Sequence, residues 1–245
     1  MVVINMVPVT RFRSAPNFMR LGYETGNLLI YVFLTNRTTK ASCKDVNTQK
    51  FPLLQLQVML ETNRIDSKQP IDLCTLCNTG LVSIKPASME FGFQLTDEGA
   101  DKFKSKICIE VQHAKESVIA AIERNGGIIR TAYYDPRSLH VIKNPEKWFE
   151  KGVPIPKRLL PPQDAIGYYT SAENRGYLAD PEEISKHRLV LAQKYGYDLP
   201  KIEDDPDYEM LTSMKDARQL FYGLEPGWVI SLKDQTIIKP KECTQ

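Results

Sequence analysis

The stretch ICIEVQHAKESVIAAIERNGGIIRTAYY, Ile107–Tyr134, decides how this 245-residue chain folds. Ile107, Ile109 and Val111 alternate with Cys108, Glu110 and Gln112, the period-two pattern of a half-buried strand. Helical spacing takes over in Ala114–Asn125, where Ala114, Val118, Ala121 and Ile122 form one apolar stripe. Gly126-Gly127 stops that helix, because glycine accepts the left-handed conformation needed just past a helix end. Ile128–Tyr133 returns as a β-branched and aromatic strand. The product is a strand–helix–strand scaffold with no chemistry of its own.

Upstream, Leu28–Leu34 reads as a strand. Phe51–Glu61 reads as a short amphipathic helix with Leu53, Leu56 and Leu60 on one stripe. Asp72–Asn78 predicts a second helix closed by Gly80, and Leu81–Lys85 a strand after it. Downstream, Asn144-Pro145-Glu146 and Asp180-Pro181-Glu182-Glu183 are helix starts, a polar cap followed by proline at the first helical position. The second opens a helix to Tyr195 that ends at Gly196. Ser213-Met214-Lys215-Asp216 resembles a capping box for a last helix ending at Gly223. Val153–Gln163 holds four prolines and is expected to lie extended, pinned to a neighbouring surface.

The formal net charge of +2 does not announce a nucleic-acid partner, but its distribution does more. Met1–Lys50 carries seven basic residues (Arg11, Arg13, Arg20, Arg37, Lys40, Lys44, Lys50) against two acids. Arg137–Arg158 carries six against two, while Asp198–Glu209 has six acids and one lysine. Basic segments balanced by an acidic patch give a neutral total and still a positive binding face. Tyr133, Tyr134, Arg137, Trp148, Phe149, Lys157 and Arg158 interleave positive charge with rings, a pattern that suits phosphate and unpaired bases.

Catalytic and metal readings fare worse. Cys74 and Cys77 have the spacing of half a zinc site, with no second pair to complete four ligands. Cys108 and His113 are five apart along one strand, which puts them on opposite faces. Glu183 and His187 sit one helical turn apart without the second histidine of a metalloprotease helix. Asp204–Asp207 lacks the glycine and distal glutamate of a calcium loop, and reads as a solvated loop or a patch facing a basic partner. The three histidines, His113, His140 and His187, show no grouping. Five scattered cysteines argue for a reducing compartment, and no apolar run is long enough for a membrane span. The first twenty residues, with three arginines and no acid, fit an organelle transit peptide. No cofactor, metal, membrane or small-molecule substrate is expected, and no enzymatic activity.

Several longer strings resemble one family. Ile109–Ala114 followed by Ala120–Ile128 (AAIERNGGI) is similar to the core of the ribosomal L-fifteen family, the fifteenth protein of the large ribosomal subunit. Its animal mitochondrial form is suggested by TAYYDPRSL (131–139), PIPKRLLPP (154–162), NRGYLADP (174–181), GLEPGWV (223–229) and NRIDSKQPID (63–72). The similarity runs from about Phe51 to Pro240. It implies an α/β fold, an irregular strand–strand–helix superhelix core over residues 51–134. A basic N-terminal arm over 1–50 and a largely helical, proline-rich C-terminal extension over 135–245 complete the expected organisation. The family carries a long Gly- and Arg-rich arm, of which only Arg20–Gly26 is matched here, so the arm is degenerate or truncated.

The resemblance further implies a structural constituent of the mitochondrial large subunit, in the mitochondrial matrix, with large-subunit ribosomal RNA and neighbouring ribosomal proteins as partners. The candidate RNA contacts are Arg11, Arg13, Arg20, Arg37, Lys40, Lys44, Lys50, Arg137, Lys157, Arg158 and Arg175. The alternative is a protein-only adaptor in a mitochondrial complex without RNA contact.

Overall fold

Ile109 and Val111 belong to a short parallel pair, and the rest of the molecule is built outward from it. The computed structural model describes residues 48–85, 90, 92–200, 202 and 205–240. Strand β1 (Gln49–Pro52) leads into helices α1 (Leu53–Glu61) and α2 (Leu73–Asn78), then β2 (Phe93–Thr96). Next come β3 (Cys108–Val111), β4 (His113–Ala114), helix α3 (Glu116–Arg124) and β5 (Ile128–Thr131). The C-terminal half holds α4 (Pro136–Lys143), α5 (Pro145–Glu150), α6 (Gln163–Thr170), α7 (Pro181–Tyr195), α8 (Tyr208–Thr212) and the strands β6 (Val229–Ser231) and β7 (Thr236–Ile238).

Pairing follows from connection length. β3 and β5 are parallel, with Ile109 opposite Ile129, and α3 supplies the crossover that a parallel pair requires. β1, β2 and β4 form a second parallel sheet in that order, while β6 and β7 make an antiparallel hairpin. The Gly-Gly stop divides its work. Gly126 takes φ +79°, and Gly127 lets the chain pass so close that a Cβ there would lie 2.6 Å from the Ile107 carbonyl oxygen. This is the mixed α/β class expected.

Five local expectations need correction. β3 is buried on both faces, where the alternation implied one face in water. Its polar face is covered by residues from beyond position 134: the Cys108 Sγ lies 3.9 Å from the Leu211 carbonyl, and Glu110 pairs with Arg158. Residues 51–52 belong to β1, so the helix starts at Leu53. Leu81–Lys85 forms no strand, although Val82 and Ile84 are buried. Asn144 opens α5 without a side-chain cap. Ser213–Asp216 starts no helix; α8 ends at Thr212, and the Lys215 side chain runs into the interior instead. The predicted strand at Leu28–Leu34 and the transit-peptide-like segment lie outside the described residues.

The proline-rich run 153–162 is extended, and its neighbour is the chain's own C-terminal part. Ile155 donates its N–H to the Trp228 carbonyl and accepts from Gly227, and Arg158 N–H donates to the Arg218 carbonyl. One hydrophobic core gathers Leu53, Ile109, Val118 and Ile129 with Leu139, Ile155, Leu220 and Phe221, so residues beyond 134 share one interior with residues 53–129.

Candidate nucleic-acid interface

Three of the expected contacts are exposed on the described surface: Lys50, Arg137 and Lys157. Lys50 stands on β1, the outer strand of its sheet. Arg137 and Lys157 are presented by one carboxylate. Asp135 caps α4 by accepting the Ser138 N–H at 3.2 Å and its hydroxyl at 2.5 Å, and the same side chain accepts the Leu159 N–H at 3.2 Å. The turn carrying Arg137 and the extended run carrying Lys157 are thereby held side by side, with both heads in water. Arg11, Arg13, Arg20, Arg37, Lys40 and Lys44 lie outside the described residues.

Arg158 and Arg175, expected at phosphate, are interior residues. The Arg158 side chain is 1% exposed and donates to Glu110 Oε1 at 3.2 Å and to the carbonyls of Ala217 and Asp216 at 3.1 and 3.3 Å. Its guanidinium lies 4.6 Å from the Tyr177 ring centroid and 4.9 Å from that of Tyr134. Arg175 is 2% exposed and grips Glu123 through two bonds of 2.8 and 3.0 Å, the fork geometry that suits a carboxylate. The interleaved aromatic residues are corrected with them: Tyr134 is buried, and Trp148 and Phe149 pack against the core.

Around Glu110 these residues build a buried polar network. Lys215 Nζ donates to Asp72 Oδ2 at 2.9 Å and to the Tyr134 hydroxyl at 3.0 Å, and lies 3.7 Å from Glu110 Oε2. The Tyr134 hydroxyl in turn donates to Glu110. Asp72 also caps α2, accepting the N–H and hydroxyl of Thr75 at 2.9 and 3.0 Å. A second network centres on Glu123, which receives Arg175, Arg188 at 3.4 Å and the Tyr197 hydroxyl at 3.3 Å. Arg130 reaches the carbonyls of Leu211 and Ser213, and Lys106 pairs with Asp205 and Asp207. Asp205 and Asp207 of the acidic stretch therefore face a basic residue of their own chain.

Burial pushes the Asp72 carboxyl up, but the Lys215 charge and the bonds from Lys215 and Thr75 outweigh it and hold the group below the ordinary 3.8. Lys215 behaves in mirror image: burial works against its charge, and the Asp72 and Glu110 carboxylates overcome it, holding the ammonium well above 10.5. The signs fix a pH window. A depressed carboxyl stabilises fully above its unfolded value and loses this as pH falls through the folded one. A raised ammonium stabilises fully below its unfolded value and loses this as pH rises through the folded one. The expected contribution of this pair is a loss of stability on the acid side below about pH 4, on top of a slope from His113 that begins near pH 6.5 because burial lowers its affinity for the proton. Urea midpoints across pH check this. Asp72→Asn should remove part of the acid limb, and an unchanged limb would contradict the assignment.

The cysteine and histidine chemistry recedes. Burial raises the Cys74 thiol to about 12 and pushes Cys77 up as well, so neither is a ready nucleophile at neutral pH. Among the described residues no group of three or more His, Cys, Asp or Glu side chains is placed to hold a metal ion. Cys108 is in β3 and His113 in β4, in different sheets, and His113 stacks on Tyr168 at 4.8 Å. No helix among the described residues is long and apolar enough to cross a membrane.

Comparison with known proteins decides the family. Residues 51–130 match the model described as ribosomal proteins 50S-L15 and 50S-L18e with their 60S counterpart. The large ribosomal subunit protein uL15m of Danio rerio is 46% identical over 231 residues, covering 94% of this chain and 78% of that protein. The chain belongs to the mitochondrial uL15m family. The uL15m of Neurospora crassa is 29% identical over 57% of this chain, and the uL15 of Acidiphilium cryptum 34% over 45%. The chain spans about half the length of the Neurospora protein and 65% of the Acidiphilium one.

Sequence reasoning missed Asp72, Glu110, Glu123, Arg188 and Lys215 as a set. Two signals were available, Glu110 inside the strand Ile107–Gln112 and Glu123 next to Ile122 of the helix stripe.

Proposed function

We propose that the chain is a non-catalytic structural constituent of the mitochondrial large ribosomal subunit, placed against large-subunit ribosomal RNA and neighbouring ribosomal proteins. The observation that carries this reading is the 46% identity to Danio rerio uL15m over nearly the whole chain. Its place is the mitochondrial ribosome. On the described surface, Lys50, Arg137 and Lys157 neutralise phosphates, and Arg11, Arg13, Arg20, Arg37, Lys40 and Lys44 do so from the N-terminal segment. Such contacts position the protein without reading sequence.

Tagged chain should co-sediment with the mitochondrial large subunit on a sucrose gradient. Recovery wholly in an RNA-free fraction would overturn the reading. The double variant Arg137→Glu, Lys157→Glu should leave the subunit at lower salt than the wild type, because each lost phosphate contact lowers the salt slope by about one. Thermal unfolding of the purified variant should be unchanged, since both heads are in water. Crosslinks from these positions to protein only, with none to RNA, would favour a protein-only adaptor instead.

A further inference from the structure

The buried charges of this molecule are sorted by position in the chain. Within the segment that matches the family model, three carboxylates are buried: Asp72, Glu110 and Glu123. Their ion-pair partners among the described residues are Arg158, Arg175, Arg188 and Lys215, all from the extension. The neutral donors to Asp72 come from its own helix cap, but no described Lys or Arg of the core pairs with any of the three. The second tier runs the same way: Arg130 and Cys108 of the core meet the backbone of residues 211–213.

We infer that the family core presents an acidic face that is a receptor for its own extension, with residues 158–215 supplying the cations, so that core and extension fold as one cooperative unit. A buried carboxylate is tolerated only when paired, and removing one partner leaves an uncompensated charge that costs far more than the pair is worth. The geometry answers this need fully at Glu110. Its two oxygens take Arg158 at 3.2 Å, the Tyr134 hydroxyl and Lys215 at 3.7 Å, and both cations are themselves enclosed. Without the extension the core would display three carboxylates around β3 and α3, a face that repels RNA. Docking turns three negative charges into a site holding four positive ones. The inference goes beyond the ribosomal reading and does not depend on it.

The experiment uses the full chain and hydrogen exchange. Lys215→Met should raise exchange in β3 and in residues 208–222 together, by about 100-fold or more. Adding Asp72→Asn alone to that variant should recover most of the protection, because Glu110 keeps Arg158 as its partner and no uncompensated charge is left. Faster exchange confined to residues 208–222, with β3 unchanged, would show that the core holds itself together and would overturn the inference. Equally poor protection in this double variant would assign the loss to packing and overturn it too. If Lys215→Met accumulates only as insoluble protein, the double variant with Asp72→Asn still decides: soluble and protected supports the inference, insoluble overturns it.

Discussion

Glu123→Gln should lower the unfolding free energy by about 3–5 kcal/mol, the size expected when one partner of a buried ion pair is removed. Glu123 is 1% exposed, accepts from Arg175 and the Tyr197 hydroxyl, and has the Arg188 Nε at ion-pair distance, 3.4 Å. The amide keeps the shape and some hydrogen bonding, but leaves two guanidiniums facing a neutral group. The two arginines should respond differently. Arg175 is held on both carboxylate oxygens and on the Ala172 carbonyl at 2.8 Å, so Arg175→Met should cost nearly as much as Glu123→Gln. Arg188 has Nε and Nη2 buried without hydrogen-bond partners, and burial lowers its affinity for the proton. Arg188→Met should therefore cost less than about 1.5 kcal/mol, since it removes an under-satisfied buried charge together with some packing. Urea unfolding of the three variants tests the ranking. Equal losses for the two arginines would contradict the assignment of Arg175 as the principal partner.

Gly176→Ala is the second substitution with a large expected effect. A Cβ there would lie 2.1 Å from the Tyr169 carbonyl oxygen, 2.4 Å from its carbon and 2.8 Å from its Cα. These are backbone atoms in α6, so no side-chain rotation relieves the overlap. The same turn is bonded on both flanks. Thr131 N–H donates to the Arg175 carbonyl at 2.9 Å, Tyr177 N–H to the Thr131 carbonyl at 3.0 Å, and Leu178 N–H to the Tyr169 carbonyl at 3.1 Å. Relief must separate α6 from β5 and drag Arg175 off Glu123. The expected loss is about 3 kcal/mol or more, at the upper end of overpacking effects. Gly167→Ala is the control, because nothing lies within 4 Å of its Cβ and it sits inside α6. It should be neutral or stabilising by up to about 1 kcal/mol. Thermal melts of both variants settle the contrast, and a Gly176→Ala protein melting with the wild type would show that the turn is looser than its hydrogen bonds indicate.

The central unit was legible because its signals are local. Alternation, helical spacing and the Gly126-Gly127 stop each act within a turn or two of the chain, and β3, α3 and β5 lie where they point. α7 is similar: the Asp180 side chain accepts the Glu182 N–H at 3.2 Å, and Gly196 closes the helix in the left-handed conformation. Lys215 shows where local reading stops. Ser213-Met-Lys-Asp is an acceptable capping box, yet the lysine finds Asp72 at a separation of 143 residues, and the helix is not formed. Arg158 and Arg175, expected at phosphate, are held on carboxylates inside the protein for the same reason. A sequence records that a residue is cationic, and only the fold records whether its partner is phosphate or a carboxylate inside the protein.

Residue order alone therefore determined the strand–helix–strand core, the helix starts at prolines, the absence of a catalytic motif and the family. Those depend on periodicity, caps and strings of residues read over short spans. The tertiary structure decided which charges are available. It left Lys50, Arg137 and Lys157 in water and withdrew Arg158, Arg175 and Lys215 to compensate Glu110, Glu123 and Asp72. Burial is a property of what the rest of the chain lays over a residue, and a buried charge must be matched by another wherever in the sequence that partner lies.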